Sequence, residues 1–236
     1  MKTCLSCSAA VLGLLILSSQ ASASLITPGG GTVPVTAEGP LSSPFFIAAM
    51  TGPQTITLTV GSQTATVTGQ EWVVESANPP VGDTVNSGTT LSFIYQVRGA
   101  SEILSSITAG GFAGFLTDVG QSPFLAGLPG GLVGTTGFSG ASESLGGNIN
   151  ATFPSATGLP AGTASFFFMV NTNAVGITPN SFTSNDNVAI TFHGFGPSNT
   201  PNIFTPEPTS AMLCLSCVFS FAGAAGWRRW RKQPKP

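Results

Sequence analysis

Hydroxyl-bearing and aliphatic residues alternate strictly in Thr55-Ile56-Thr57-Leu58-Thr59-Val60, and the alternation resumes through Ala65 and Val67 to Thr68. A period of two puts one residue type on each face of an extended chain, and Gly61-Ser62 between the runs is turn chemistry, so the segment predicts a β-hairpin with one buried face. Residues 71–75 extend it or form the next strand, before Asn78-Pro79-Pro80 breaks the run. The clearest single strand is 89–98, with Leu91, Phe93, Tyr95 and Val97 on one face and Ser92, Ile94, Gln96 and Arg98 on the other. Phe166-Phe167-Phe168-Met169-Val170 is a continuous apolar run of strand length and predicts a strand covered on both sides. Further strands are expected at 45–47, 102–108, 111–119, 135–142, 148–153 and 188–192, with 120–134 as an open loop of Gly and Pro. No helical period occurs between the two ends of the chain. Many short strands punctuated by Gly and Pro predict an all-β fold, an antiparallel β-sandwich with a jelly roll as its main variant.

The ends follow a different pattern. Lys2, an apolar core over 11–17 and Ala21-Ser22-Ala23 have the order of a secretory signal peptide cut after Ala23. At the other end stand Pro206-Glu207-Pro208, an apolar stretch over 209–226, and Trp227-Arg228-Arg229-Trp230-Arg231-Lys232. The two prolines hold their segment extended, as a protease groove requires; Thr209 or Ser210 then caps the following helix, with Glu207 near its positive end. The apolar stretch falls within the roughly 17 to 25 residues of a membrane span. Ser210, Ser216 and Ser220 dilute it, which suits a temporary tether. Arg228, Arg229, Arg231, Lys232 and Lys235 would stay on the cytoplasmic side, with Trp227 and Trp230 at the interface. The blander alternatives are a permanent membrane anchor and a buried helix with a basic tip. The chain thus divides into a signal peptide (1–23), an exported β-sandwich domain (24–197), a Pro-rich linker (198–208), a transmembrane helix (209–226) and a basic tail (227–236).

Pro-Glu-Pro, apolar span and basic cluster, in that order at the C-terminus, resemble a PEP-CTERM sorting signal. The resemblance implies recognition by an exosortase-like processing enzyme after export through the Sec machinery. It implies transient tethering, processing near Pro206, Glu207 and Pro208, and delivery to the cell surface or its exopolysaccharide matrix. It carries a destination and no activity. Phe112-Ala113-Gly114-Phe115-Leu116-Thr117-Asp118-Val119, the later Gly158-Leu159-Pro160-Ala161-Gly162-Thr163-Ala164-Ser165, Val170-Asn171-Thr172-Asn173-Ala174 and Gly194-Phe195-Gly196-Pro197 are similar to the bodies of many PEP-CTERM surface proteins of unassigned activity, and offer no catalytic residue to carry over.

Charge sharpens this division. Of seven Lys and Arg residues only Arg98 lies in the body, against eight acids there, a formal charge of minus 7 where the whole chain carries minus 2. Nucleic acid is a poor partner for such a surface, because phosphate neutralisation needs Lys and Arg; a polyanionic polysaccharide would need bridging divalent cations. The four cysteines, Cys4, Cys7, Cys214 and Cys217, all fall in the terminal apolar segments, so the repeated Cys-Leu-Ser-Cys reads as small membrane-compatible residues and not as half of a metal or redox site.

Candidate chemistry in the body is sparse. His193 is the only histidine, so two-histidine metal sites are absent and a Ser-His-Asp triad would rest on this residue alone; a turn or strand-end histidine beside Gly194 is the simpler reading. Glu71, Glu75, Glu102, Asp118, Glu143 and Asp186 are candidates for the paired carboxylates of a glycosidase, with Glu71 and Glu75 on one strand face, set against the commoner reading of scattered surface acids. Asp83, Asn185, Asp186 and Asn187 supply hard oxygens for a structural calcium ion, or form ordinary turns. No other cofactor is expected. Trp72, beside two acids, is the one aromatic residue proposed for an exposed sugar-stacking face. The expectation is a non-enzymatic exported protein, with a carbohydrate-binding module as the alternative and a secreted hydrolase third.

Overall fold

The computed structural model describes residues 23–38, 41, 45–76, 85, 90–99, 103–185 and 188–201; all but Pro201 fall in a unit ending at Thr200. Thirteen strands and no helix lie among these residues. In chain order they are β1 (Ser24–Ile26), β2 (Thr36–Ala37), β3 (Phe45–Met50), β4 (Gln54–Val60), β5 (Gln63–Ser76), β6 (Thr90–Gly99), β7 (Ser106–Ala109), β8 (Thr117–Ser122), β9 (Gly140–Glu143), β10 (Ile149–Thr152), β11 (Phe167–Thr172), β12 (Gly176–Asn185) and β13 (Ala189–Ser198). They form two sheets. The first runs β1-β8-β11-β6-β5-β3, with β4 added to β5 and the short β2 pairing β8 in parallel; the second runs β13-β12-β7-β10-β9, and every named pair except β2 with β8 is antiparallel.

The alternating run folds as its pattern requires. β4 and β5 pair from Gln54↔Gly69 to Val60↔Gln63, and Gly61 takes the positive φ of 63° that lets a two-residue turn follow the strand twist. On β5 and β6, Val67, Val73, Leu91, Phe93, Tyr95 and Val97 point into the space between the sheets, where they meet Ile107, Ile149, Phe182 and Phe192 from the second sheet. Tyr95 packs on Phe182 with ring centroids 5.2 Å apart, and Gly69 is tight against the rings of Phe182 and Phe192, where a Cβ would have only 2.9 Å. The opposite face of the same strands is buried too. Trp72, Val74, Ile94, Phe167 and Met169 form a second cluster there under Leu41, Leu125 and Leu128. This is why β11 is apolar at consecutive positions: one set of side chains faces the sandwich interior and the other lies under the covering segment over 123–132.

Several boundaries differ from expectation. The stretch 111–116 is turn, with Gly111 and Gly114 at φ of 87° and 83°, and the strand begins only at Thr117 and continues to Ser122, into what was expected to be loop. The strand expected at 135–142 starts at Gly140. β12 was not anticipated. Its sequence, GITPNSFTSN, is mostly polar and half-exposed, and Phe182 is its main anchor in the core. Among the described residues no helix is long and apolar enough to cross a membrane. The signal peptide up to Ser22, and the linker from Asn202 with the span and basic tail that follow it, lie outside the described residues.

Candidate functional site

Three of the acids read as scattered surface acids, Glu71, Asp118 and Glu143, are inside, and Glu38 is inside with them. Glu38, Glu71, Asp118 and Glu143 are at most 7% exposed. Glu71 shares the parity of Val67 and Val73 on β5, so its carboxyl enters the interior face and ends at β13, where Oε2 accepts the Phe195 N–H at 2.8 Å. Gly194 stands against it; any Cβ there would collide with that oxygen. Burial pushes the Glu71 carboxyl up to about 8, against the opposing pull of the Phe195 N–H and of Tyr95. The Tyr95 hydroxyl is raised well above its ordinary range by its own burial and then by the charge of Glu71. The two groups interact without good hydrogen-bond geometry, since neither Tyr95 Oη nor Glu71 Oε1 has a partner that meets it. A proton on Glu71 resolves the contact, turning an uncompensated buried charge into a neutral donor facing Tyr95 Oη.

The other three acids serve cross-strand ties. Asn171 donates one amide group to both Glu38 Oε1 (3.1 Å) and Asp118 Oδ1 (2.8 Å), while its own Oδ1 accepts from Ser92 Oγ at 2.7 Å. Ser92, Asn171 and Asp118 are register neighbours across β6, β11 and β8, so the bonds run straight across the sheet. Glu143 Oε2 accepts from Thr117 Oγ1 at 2.8 Å, and desolvation raises its carboxyl against that bond. These carboxylates were missed as interior groups although a signal was present: Glu71 runs into Trp72-Val73-Val74 and Asp118 into Val119, both within segments expected to be strands.

An open groove of about 220 Å³ lies on the outer face of the first sheet, lined chiefly by Thr68, Gln70, Gln96, Arg98, Gly130 and Leu132. Its polar floor follows from register, because Thr68 faces Arg98 and Gln70 faces Gln96 across β5 and β6. Its wall is the end of the covering segment, held by side-chain amides. Gln96 Nε2 donates to Leu132 O (2.7 Å) and Ser165 O (3.0 Å), Gln96 Oε1 accepts from Leu132 N (2.8 Å), and Gln70 Nε2 donates to Pro129 O (3.1 Å). Arg98 is exposed and is the only Lys or Arg among the described residues. The groove is smaller than the roughly 300 Å³ at which small-molecule pockets begin, so it suits one anionic or hydroxylated group and not a whole ligand.

The remaining candidates are dispersed. Trp72 is corrected: it is fully buried, with Nε1 donating to Pro129 O at 3.0 Å and its ring 5.6 Å from Phe167, so it offers no stacking face. Glu71 and Glu75 do share a face of β5, but only Glu75 is partly exposed. The exposed His193 pairs with Ser181 across β12 and β13, without a hydrogen bond between imidazole and hydroxyl among the described residues; its backbone N–H and C=O are clamped by the Gln54 side chain at 3.0 and 2.6 Å. Asn185 spends its amide on Ser106 Oγ and Thr108 Oγ1. Among the described residues no group of three or more His, Cys, Asp or Glu is gathered in one place. Asp83, Glu102, Asp186, Asn187, Pro206, Glu207, Pro208, Arg228, Arg229, Arg231 and Lys232 lie outside the described residues.

No family model, no curated protein and no solved structure matches this chain.

Proposed function

We propose that this chain is a non-enzymatic exported protein of the cell surface or extracellular matrix, delivered by a PEP-CTERM-like tail. The observation that carries the reading is the ordered tail: Pro206-Glu207-Pro208, the apolar stretch 209–226, then Arg228, Arg229, Arg231 and Lys232. In this reading the Sec machinery exports the body, the tail tethers it in the membrane, and an exosortase-like enzyme cuts near the Pro-Glu-Pro. The body's geometry favours a structural role over hydrolysis. Glu71, Asp118 and Glu143, three of the acids that a glycosidase would have used, are enclosed and engaged with neighbouring backbone or side chains. A retaining or inverting pair must instead flank a substrate.

The test is intact mass and membrane fractionation of the protein from its own cells, beside a variant carrying Pro206→Ala, Glu207→Ala and Pro208→Ala. Loss of the tail near Pro206 in the wild type, with the variant full-length in the membrane, is the expected result. Both proteins retaining Trp227 to Pro236 and staying membrane-bound would make the tail a permanent anchor and end the sorting reading.

A carbohydrate-binding role on the same tail is the second reading, favoured by the amide- and hydroxyl-lined groove at Arg98. Trp72 no longer contributes to it. Glycan binding that is lost in Arg98→Ala and Gln96→Ala would establish it, and no binding across a broad glycan array would remove it.

A further inference from the structure

The outer edge of β4 is a row of unused backbone groups whose geometry can be counted. The turn Gly61-Ser62 closes on Val60↔Gln63, and a two-residue hairpin closes on a pair that exchanges both its hydrogen bonds. Counting back, Leu58↔Ala65, Ile56↔Val67 and Gln54↔Gly69 are hydrogen-bonded pairs as well, and the threonine pairs lie between them. Two observations agree. The hydroxyls of Thr55 and Thr68, Thr57 and Thr66, and Thr59 and Thr64 meet at 2.8, 3.0 and 3.1 Å, the close side-chain approach of non-hydrogen-bonded pairs. Glu71, next in the odd-numbered series of β5, turns its C=O to the same side, where it accepts from Thr51 N at 2.9 Å. The N–H and C=O of Thr55, Thr57 and Thr59 therefore point away from β5. β4 pairs with no other strand, and these six groups have no partner among the described residues.

Among the described residues nothing protects this edge. It carries no proline and no bulge, and no charged residue occurs between Glu38 and Glu71. Natural edges of this length are normally blunted by such devices. Its outer groups are also self-complementary. If a second copy lies antiparallel about a two-fold axis at Thr57, then Thr57 pairs with Thr57, Thr55 with Thr59 and Ile56 with Leu58. All six groups on each strand are then used, threonines meet threonines on one face, and aliphatic side chains meet on the other. A shift of one residue would oppose threonine to aliphatic side chains and leave the outward groups mismatched.

We propose that β4 is a self-association edge, joining two copies of this chain into a continuous sheet through the Thr57-centred register. The occupant is a second copy because self-pairing in this register uses every outward group on both strands and at the same time sets threonine against threonine and Ile56 against Leu58. The stretch between Glu38 and Glu71 also holds no charged residue, so two copies of a body with formal charge minus 7 can meet there without opposing like charges along the edge itself. A seven-residue strand spans about 24 Å, and an edge-to-edge contact of that length falls below the roughly 1,000 Å² of a permanent interface, which makes the association weak and reversible. The inference stands whether or not the tail is processed.

The test uses the full chain with Cys4, Cys7, Cys214 and Cys217 replaced by serine, in mild detergent, with single cysteines placed along β4, mild oxidation, and mass spectrometry of the digest. Thr57→Cys should give a peptide disulfide-linked to itself through position 57, because residues opposed across the axis fall within disulfide reach. Leu58→Cys and Thr59→Cys should give at least tenfold less, since each faces a different residue number. Separately, Thr57→Lys and Thr57→Asp should each weaken association at least tenfold in sedimentation velocity, and mixing the two should restore it, because like charges are opposed in each homodimer and opposite charges in the mixture. Equal linkage at the three positions, no linkage at Thr57→Cys, capture of a different chain at that cysteine, or no rescue on mixing would each overturn the proposal.

Discussion

Glu71 is a side chain through which solution pH acts on stability. An ordinary carboxyl near 4.5 in the unfolded chain and one near 8 in the folded protein mean that, between those values, the folded state holds one proton more. Raising the pH therefore favours unfolding. The contribution is fully present below about 4.5, declines through the interval and is gone above about 8, with a slope of up to ~1.4 kcal/mol per pH unit. Glu143 is shifted in the same direction, so the wild-type curve contains more than one group. Glu71→Gln isolates the one at issue, since a neutral amide keeps the size and an acceptor for the Phe195 N–H. Urea unfolding of the full chain from pH 5 to 9 should show stability falling with pH, and falling distinctly less in Glu71→Gln. An unchanged slope would assign the titration elsewhere. The burial of Glu71 was partly legible: alternation put it on the face of Val67 and Val73, and the expectation of surface acids overrode that pattern. Its meeting with Tyr95 and Phe195 was not legible, because Phe195 arrives from a strand more than a hundred residues later.

At the scale of elements, what local pattern could announce it did announce. The β4–β5 hairpin, the inward face of β6 and the double burial of β11 each follow from periodicity within one segment. β1, β2 and β12 do not, since each is short or polar and owes its existence to pairing with a partner already in place. Trp72 failed as an exposed candidate for a related reason: the segment over it, 123–132, belongs to the Gly- and Pro-rich stretch expected to be an open loop. Leu125 and Leu128 make it a lid on the sheet, and Pro129 O accepts both the Trp72 and Gln70 donors. Leu125→Ala with Leu128→Ala should loosen this cover at a cost of about 2 to 5 kcal/mol per site, less if neighbours collapse into the space. In a background with Trp227→Phe and Trp230→Phe, Trp72 emission should shift to the red before global unfolding. An unshifted spectrum with unchanged stability would mean that the cover does not depend on these leucines.

For the molecule as a whole, the governing quantity is how charge is divided along the chain. Five of the seven basic residues lie after position 226, whereas the segment from Ser24 to Thr205 holds Arg98 alone against eight acids. Processing near Pro206 would therefore change the protein's electrostatic character as well as its attachment. A chain that keeps its tail is close to balanced; a body released in this way would be strongly acidic, would repel its own copies, and would meet an anionic matrix only through bridging cations or through contacts that involve no net charge. The expected outcome is specific. In native-source material, isoelectric focusing under denaturing conditions should place the wild-type product at distinctly lower pH than the variant with alanines at Pro206, Glu207 and Pro208, by more than the loss of Glu207 in the variant can explain. That substitution removes one acid, whereas removal of the tail takes five cations. Co-focusing of the two proteins would show that the basic tail stays on both, and with it the positive charge that the released-body reading requires the protein to lose.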